Sequence, residues 1–202
     1  MRYTAYKIKG KDGELRVNEG YGMYDLNCRI MLFGTNNAVN RQVINAWADG
    51  TGKLITSDDS TRAYMATAGN IDWTRDYVGG KFYDVATIYF RCQPIMREAV
   101  ESEETFTADG AIVNVGTVES YPLITVHGNG DCVFSVAGQE ITLSDVASDN
   151  PVVIDCDAGY VYTTDGAAEM SGEFPVLAIG SNDVILTSGV TQLDIKPRWG
   201  WI

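Results

Sequence analysis

One histidine, His127, is all the imidazole in this 202-residue chain. Any Ser-His-Asp or Cys-His arrangement would have to use it. It stands at the end of a predicted strand, just before Gly128, where a histidine reads as a surface or packing residue. The four cysteines, Cys28, Cys92, Cys132 and Cys156, form no C-x-x-C pair. Zinc sites need clustered Cys and His ligands, so the expectation is free buried thiols and no metal. There is no G-x-G-x-x-G, no Walker loop, no G-x-S-x-G and no H-E-x-x-H. Gly10-Lys11-Asp12-Gly13 lacks the glycine spacing and the Lys-Ser/Thr pair of a phosphate loop. No cofactor and no enzymatic activity are expected. No apolar run approaches the ~18 residues of a membrane span. The opening MRYTAYKIKGKDGELRV has no apolar core of a secretory signal, so folding in a cytoplasm is expected.

What is present is uneven. Residues 1–98 carry 13 Lys/Arg and 11 Asp/Glu, and residues 99–202 carry 2 and 16, giving nets of +2 and −14. Four of the five prolines, Pro122, Pro151, Pro175 and Pro197, also lie beyond residue 98. The Glu-rich run 98–104 reads as a solvated connector, so two domains are expected, 1–98 and 99–202. A half this acidic repels nucleic acid and anionic membrane at a distance, and favours basic partners. A globular protein of 22.0 kDa exposes roughly 9,000 Å² when folded, enough burial for a core without disulfides or metals.

The first half reads as α+β with one helix. Tyr3–Lys9 and Glu14–Asn18 form strands about the Gly10–Gly13 turn. Asp25–Gly34 is a strand with Leu26, Cys28, Ile30 and Leu32 on one face. The helix spans about Asn37–Ala48, with Val39, Val43 and Trp47 at i, i+4 and i+8 and Ile44 and Ala48 beside them. Thr35 or Asn36 can cap it and Asp49-Gly50-Thr51-Gly52 can stop it. Its apolar stripe packs on a sheet or on a neighbouring subunit. Lys53–Ile55, Ala63–Ala66 and Val85–Cys92 read as strands, and 75–83 as a loop or short hairpin around Gly79-Gly80.

The second half is all β by pattern. Its candidate strands are Ala111–Asn114, Leu123–His127, Cys132–Val136, Gln139–Leu143, Val152–Asp155, Tyr160–Thr163, Val176–Ala178, Asp183–Thr187 and Gln192–Lys196. Turn signals such as Gly128-Asn129-Gly130-Asp131 and Gly180-Ser181-Asn182 separate them. Short, evenly spaced strands suit a β-sandwich or barrel, so the fold class is mainly β. Asp155 and Asp157 could pair for glycoside hydrolysis or calcium, but Asp157-Ala158-Gly159 reads as a turn. Asn129-Gly130-Asp131 lacks the companion Glu of a calcium loop. Tyr121, Tyr160, Tyr162, Trp199 and Trp201 could stack on a sugar or close a core. The C-terminal run Ile195–Ile202 is expected to complete the sandwich with Trp199 packed, Trp199 and Trp201 sharing a face.

Several stretches in order match one family. They are Asn114-Val-Gly-Thr117, Tyr121-Pro-Leu-Ile-Thr-Val126, Gly128-Asn-Gly-Asp131, Ile154-Asp155, Gly172-Glu-Phe-Pro175 with Leu177 and Gly180-Ser-Asn182, and the ending Leu193-Asp-Ile-Lys-Pro-Arg-Trp199. Together they resemble the C-terminal domain of siphophage distal tail (Dit) proteins, which commonly end in an I-x-P-R-W strand. Ile8-Lys-Gly-Lys-Asp-Gly13, the helix ending in Trp47 before Gly50-x-Gly-Lys-Leu54, and Ile88-Tyr-Phe-Arg-Cys-Gln-Pro94 resemble the family's N-terminal belt domain. Lys9 stands where Pro is common, and the sequence opens almost at the hairpin, ahead of which family members usually carry an extra strand.

The resemblance implies a belt-like ring-forming domain followed by a galectin-like β-sandwich. It implies a structural role in the virion, assembled in the host cytoplasm: a homohexameric ring at the distal tail or baseplate. Such a ring bridges the major tail (tube) protein and the tail-associated tip protein, scaffolds receptor-binding components, and passes DNA through its channel without specific binding. It gives Gly10, Asp12, Gly13, Trp47, Pro122, Pro175, Pro197, Arg198 and Trp199 as signature or interface residues, with no catalytic, cofactor or metal residues. The alternative is a carbohydrate-binding, galectin-like module. Galectin-type sites use clustered His, Asn, Arg, Trp and Glu, and the second half has one His and one Arg.

Overall fold

A computed structural model describes residues 2–33 and 37–202. The chain divides into two compact units, Met1–Met96 and Arg97–Ile202. Among the described residues it is mainly β, with one helix.

The first unit opens with a two-stranded hairpin, β1 (Tyr3–Tyr6) and β2 (Leu15–Asn18), paired Tyr3 to Asn18 and Tyr6 to Leu15. Then come β3 (Tyr24–Leu32), α1 (Asn37–Trp47), β4 (Thr51–Leu54), β5 (Arg62–Val78) and β6 (Lys81–Cys92). These four strands form an antiparallel sheet in the order β4-β5-β6-β3. The β5–β6 turn is Gly79-Gly80, with φ of +57° and +82°. That geometry needs glycine, and two-residue hairpin turns use it. The segment 75–83, left between loop and hairpin by the sequence, is therefore the tip of one long hairpin, and Ala63–Ala66 is only the start of a 17-residue strand.

One face of this sheet carries the first unit's core, built from Ala66, Ala86, Ile88, Phe90 and Cys92 with Leu54 and Ala48. Leu26, Cys28 and Ile30 of β3 pack against it, as their alternation requires. Gly50, at φ +81°, follows the helix and ends it. The expected caps Thr35 and Asn36 lie outside the described residues.

The second unit begins near β7 (Met96–Glu98), which spans the division. It continues with β8 (Glu104–Phe106), β9 (Gly110–Asn114), β10 (Leu123–Val136), β11 (Gln139–Val146), β12 (Val152–Asp155), β13 (Tyr160–Thr163), β14 (Gly166–Ala167), β15 (Met170–Ser171), β16 (Gly180–Lys196) and β17 (Gly200–Trp201). The path β14-β13-β12-β10-β11-β15, with β16 beside β10 and β8 and β9 beside β16, makes one nine-stranded sheet.

Two corrections to the strand reading have one physical cause. Gly128–Asp131 is not a turn between two strands; β10 runs through it. Likewise 183–187 and 192–196 belong to a single β16. The β10–β16 register shifts at Gly128 and Val133, the mark of bulges. A Cβ on Gly128 would lie 2.3 Å from the Cys132 sulfur, and one on Gly189 would lie 2.1 Å from the Asp131 carbonyl oxygen. Glycine marks close backbone approach at a bulge as readily as it marks a turn. The bulges split each long strand. Ile124 and Val126 belong to the part paired with β12, and Phe134 and Val136 to the part paired with β11. All four are fully buried, as are Ile112, Ile141, Ile154, Val184, Leu193 and Ile195. His127 accordingly lies inside a long strand, not at a strand end.

Val176–Ala178 is not a strand. It makes a single bridge, Leu177 to Ser120. The terminal strand β17 does not extend the nine-stranded sheet either; it is hydrogen-bonded to β7.

Candidate functional site

Two places concentrate the expected site residues: the uncovered apolar surface of the first unit and the C-terminal corner of the second.

The helix α1 sets the first. Its sequence, NAVNRQVINAW, has one charged residue, Arg41. That residue points at the sheet. Its Nη2 lies 3.0 Å from Oδ1 of Asp84 on β6, which Arg75 Nε also reaches at 3.0 Å. Asp84 is 2% exposed. The hydrogen bond from Arg75, helped by Arg41, holds its carboxyl below the ordinary carboxylate range. The Arg41 guanidinium also lies over the Trp73 ring, 4.8 Å from its centroid, and Trp73 Nε1 donates to Asn45 Oδ1 at 3.2 Å. A polar clamp therefore docks the helix, assisted by Ile44 and Ala48.

The consequence is on the other side. The stripe Val39, Val43 and Trp47 faces outward, 57%, 62% and 60% exposed. Trp47 meets Phe90 edge to face, with ring centroids 6.2 Å apart, and the rest of its ring stays largely exposed. A surface helix normally turns its apolar stripe inward; here the stripe is left for something else.

The rest of the unit repeats this. Tyr3, Tyr6, Ile8, Leu15 and Val17 of the first hairpin are exposed. Gly10 and Gly13, with φ of +85° and +86°, shape its loop, and Asp12 between them is exposed. At the far hairpin, Tyr77 and Phe82 pair across the strands with ring centroids 4.8 Å apart, yet both are exposed. Exposed apolar patches mark interaction sites.

The C-terminal corner explains why the ending reads as a motif. Pro197 is buried just after β16, and its carbonyl accepts a hydrogen bond from Ser120 Oγ. Arg198 then adopts φ +57°, a strained conformation for a residue with a side chain. Three partners hold it there. Its guanidinium grips Asp155 with both nitrogens, at 2.7 and 3.1 Å, and its carbonyl accepts from Arg97 Nη1 and from Ser120 Oγ. The turn sends Trp199 and Trp201 into the interior, 3% and 8% exposed. Thr117 fastens the last residues, its N–H donating to the Gly200 carbonyl and its Oγ1 accepting from Ile202 N, both at 2.9 Å.

This arrangement gives Asp155 a structural task. Arg198 above all, with the N–H groups of Ala158 and Asp157, holds its carboxyl below the ordinary range, and those N–H groups close the turn that Asp157-Ala158-Gly159 was expected to make. Pro122 and Pro175 are buried, and the Pro122 carbonyl accepts from Cys156 N at 3.1 Å.

The sequence reading missed the polar staples. Asn114 Nδ2 donates to the carbonyls of Val118 and Leu177, both at 3.0 Å, and its Oδ1 accepts from Gly116 N at 2.8 Å. Asn182 likewise ties Ala178 and Gly180. Both asparagines stand in stretches that carried the family resemblance. An asparagine that must satisfy several loop backbone groups at once is hard to replace, which is the signal that could have found them. The Arg41–Asp84–Arg75 group left no sequence signal, because its members come from three elements.

The remaining candidates resolve into structure. His127 Nε2 lies 2.9 Å from Asp194 Oδ2, and that carboxylate also receives Thr105 Oγ1 and Gln192 Nε2. The group ties β8, β16 and β10 together. The four cysteines are free, and burial pushes the Cys156 thiol up to about 12, far from a reactive thiolate. Among the described residues no three His, Cys, Asp or Glu side chains are grouped to hold a metal ion. Of the five aromatics weighed for a sugar face, both tryptophans are buried, while Tyr160 and Tyr162 stand together on β13 with ring centroids 5.3 Å apart.

Comparison with known proteins supports one architecture. The chain is similar in structure to a phage tail hub: the crystal structure of the SPP1 Dit (gp 19.1) protein, described as a paradigm of the hub adsorption apparatus in phages infecting Gram-positive hosts. The TM-score is 0.74 at 17% sequence identity, covering 96% of this chain and 87% of that one. No family model matches the sequence. No curated protein matches it either.

Proposed function

We propose that this chain is a structural protein of a phage tail tip, the hub of its distal tail. Copies assemble through residues 1–98 into a homohexameric ring that joins the tail tube to the tip protein. Residues 99–202 form the domain that carries receptor-binding components, and DNA passes through the ring without specific contacts. The role is mechanical and involves no catalysis.

The observation that carries this reading is the outward apolar stripe of α1 in a chain with the fold of a tail hub. A monomer has no use for Val39, Val43 and Trp47 in water, and obligate assemblies cover such surfaces, often burying over about 2,000 Å². The charge distribution agrees: the second half, at −14, strongly repels its own copies and polyanions, whereas the first, at +2, is close to neutral.

The carbohydrate-binding alternative is the weaker reading, because Trp199 and Trp201 are spent on the interior. The test is native mass spectrometry of the purified full chain, with negative-stain images of the same sample. Six-fold rings, single or stacked, are expected. A monomer at every concentration, together with saturable binding of host wall polysaccharide, would replace this reading with the alternative.

A further inference from the structure

Asn129-Gly130 is the one Asn-Gly pair in the chain. Asparagine is among the thermally labile residues. Its side-chain carbonyl carbon is one ring closure away from the next main-chain nitrogen. A following glycine puts no side chain in the way of that closure.

The fold leaves this pair accessible. Asn129 and Gly130 are both exposed, although they lie inside β10. The ladders on both sides lose register around them. Toward β16, Gly128 pairs with Val190 and the next pair is Val133 with Ser188. Toward β11, Gly130 pairs with Val146 and Cys132 with Leu143, so Asp131 has no partner in either ladder. Gly130 has a φ of +74°, which glycine adopts without strain.

Other asparagines of this unit are tied down. Asn114 and Asn182 are buried, and their amides donate to backbone carbonyls. Asn150 is held by Thr164 and Asp165, and Pro151 after it has no N–H to react. Among the described residues no hydrogen bond holds the Asn129 side chain.

We propose that Asn129 is a modification site, converting spontaneously through a cyclic imide with Gly130 to aspartate and isoaspartate. The Gly130 nitrogen gives its proton to solvent and attacks Asn129 Cγ. The new C–N bond closes a succinimide ring and displaces the side-chain amide as ammonia. Water then opens the ring. Attack at Cγ leaves aspartate; attack at the former main-chain carbonyl carbon leaves isoaspartate, in which the chain runs through Cβ. Nothing is oxidised or reduced: one amide and one water become one carboxylate and one ammonium ion.

Both products place a negative charge beside Asp131, whose Oδ1 accepts from Asp145 N at 3.4 Å. Isoaspartate also adds a carbon to the main chain where there is no slack. Gly128 against Cys132, and Gly189 against Asp131, already meet too closely for a Cβ. The isoaspartate form therefore strains the bulge in β10, whereas the aspartate form only adds charge. The conversion is independent of the hub reading.

The test holds the full chain at mildly alkaline pH and physiological temperature, in buffer and in urea, and follows every asparagine-containing peptide by mass spectrometry. In buffer the Asn129 peptide is expected to lose ammonia transiently and then to gain the mass of an amide turned to an acid. It should do so faster than every other asparagine and within tenfold of its rate in urea. Isoaspartyl methyltransferase should label it. Asn129→Gln, at an exposed position, should abolish both signals and keep the circular dichroism of the parent. The isoaspartate fraction should unfold at lower urea than Asn129→Asp; equal stability would overturn the strain at the bulge. Conversion in buffer more than tenfold slower than in urea, or another asparagine converting first, would overturn the proposal.

Discussion

The two units use a similar vocabulary of residues to opposite effect. In the second, the long strands alternate within each part that the bulges divide: Ile124, Val126, Phe134 and Val136 inward, and Thr125 and Ser135 on the other face. The few polar groups that go inside, Asn114, Ser120 and Asn182, are satisfied by loop carbonyls and amides. In the first, a polar clamp of Arg41, Asp84 and Trp73 occupies the inner side of the helix, and its valines and Trp47 face water. A hydrophobic stripe therefore reports that a surface will be covered, without saying by what. The second unit turns the alternate side chains of its strands into its own core; under the proposed hub role, the exposed stripe of the first is covered by neighbouring copies.

This contrast can be broken from the second unit downward. The largest effect is expected for Gly189→Ala. The new Cβ would meet the Asp131 carbonyl oxygen at 2.1 Å, at a φ of +71° that disfavours any side chain. A loss above about 4 kcal/mol is expected, read as a missing cooperative transition of the second unit in urea. A variant that melts like the parent would show that the bulge is not a fixed bend. Next comes Trp199→Ala, expected to cost about 3–5 kcal/mol, by the same measurement. Deleting residues 197–202 should do at least as much harm.

Asp155→Asn is smaller and depends on pH. The Arg198 bond lowers the folded pKa of Asp155, so its contribution is fully present above the unfolded value of about 3.9. It is lost as pH falls through the lower folded value. Neither partner is widely exposed, so a cost of about 2 kcal/mol is expected at neutral pH. The gap between variant and parent should close below about pH 4. A gap independent of pH would mean that the asparagine fails for another reason, such as loss of the turn at Asp157.

The smallest effect belongs to the first unit. Tyr77→Ala removes a cross-strand pair with Phe82 and should cost only about 0.5–1 kcal/mol in the unassembled chain. A loss of several kcal/mol would mean that the tip belongs to a core, against the contrast drawn above.

Much of this was legible in the sequence, unevenly. Helix α1 was expected over Asn37–Ala48 and found over Asn37–Trp47, because its period and the following Gly50 agree. The hairpin about Gly10–Gly13 and the strand around Leu26, Cys28 and Ile30 were readable for similar reasons. The direction of the helix stripe was not, since the clamp that orients it depends on Asp84, more than thirty residues away. The bent strands β10 and β16 were read as pairs of strands because Gly128 and Gly189 carry the same local signal at a bulge as at a turn. At the C-terminus, buried Trp199 and Trp201 were foreseeable from alternation. The left-handed Arg198 was not, because what holds it comes from Arg97, Ser120 and Asp155.

The account's central claim is that the first unit is finished by other copies and the second is not. Hydrogen–deuterium exchange of the full chain, followed peptide by peptide across a dilution series, tests it most directly. Residues 3–18 and 37–47 should be protected when concentrated and lose protection on dilution, while 110–114 and 123–136 exchange at one slow rate throughout. Concentration-dependent protection confined to the second unit, or found nowhere, would contradict the claim.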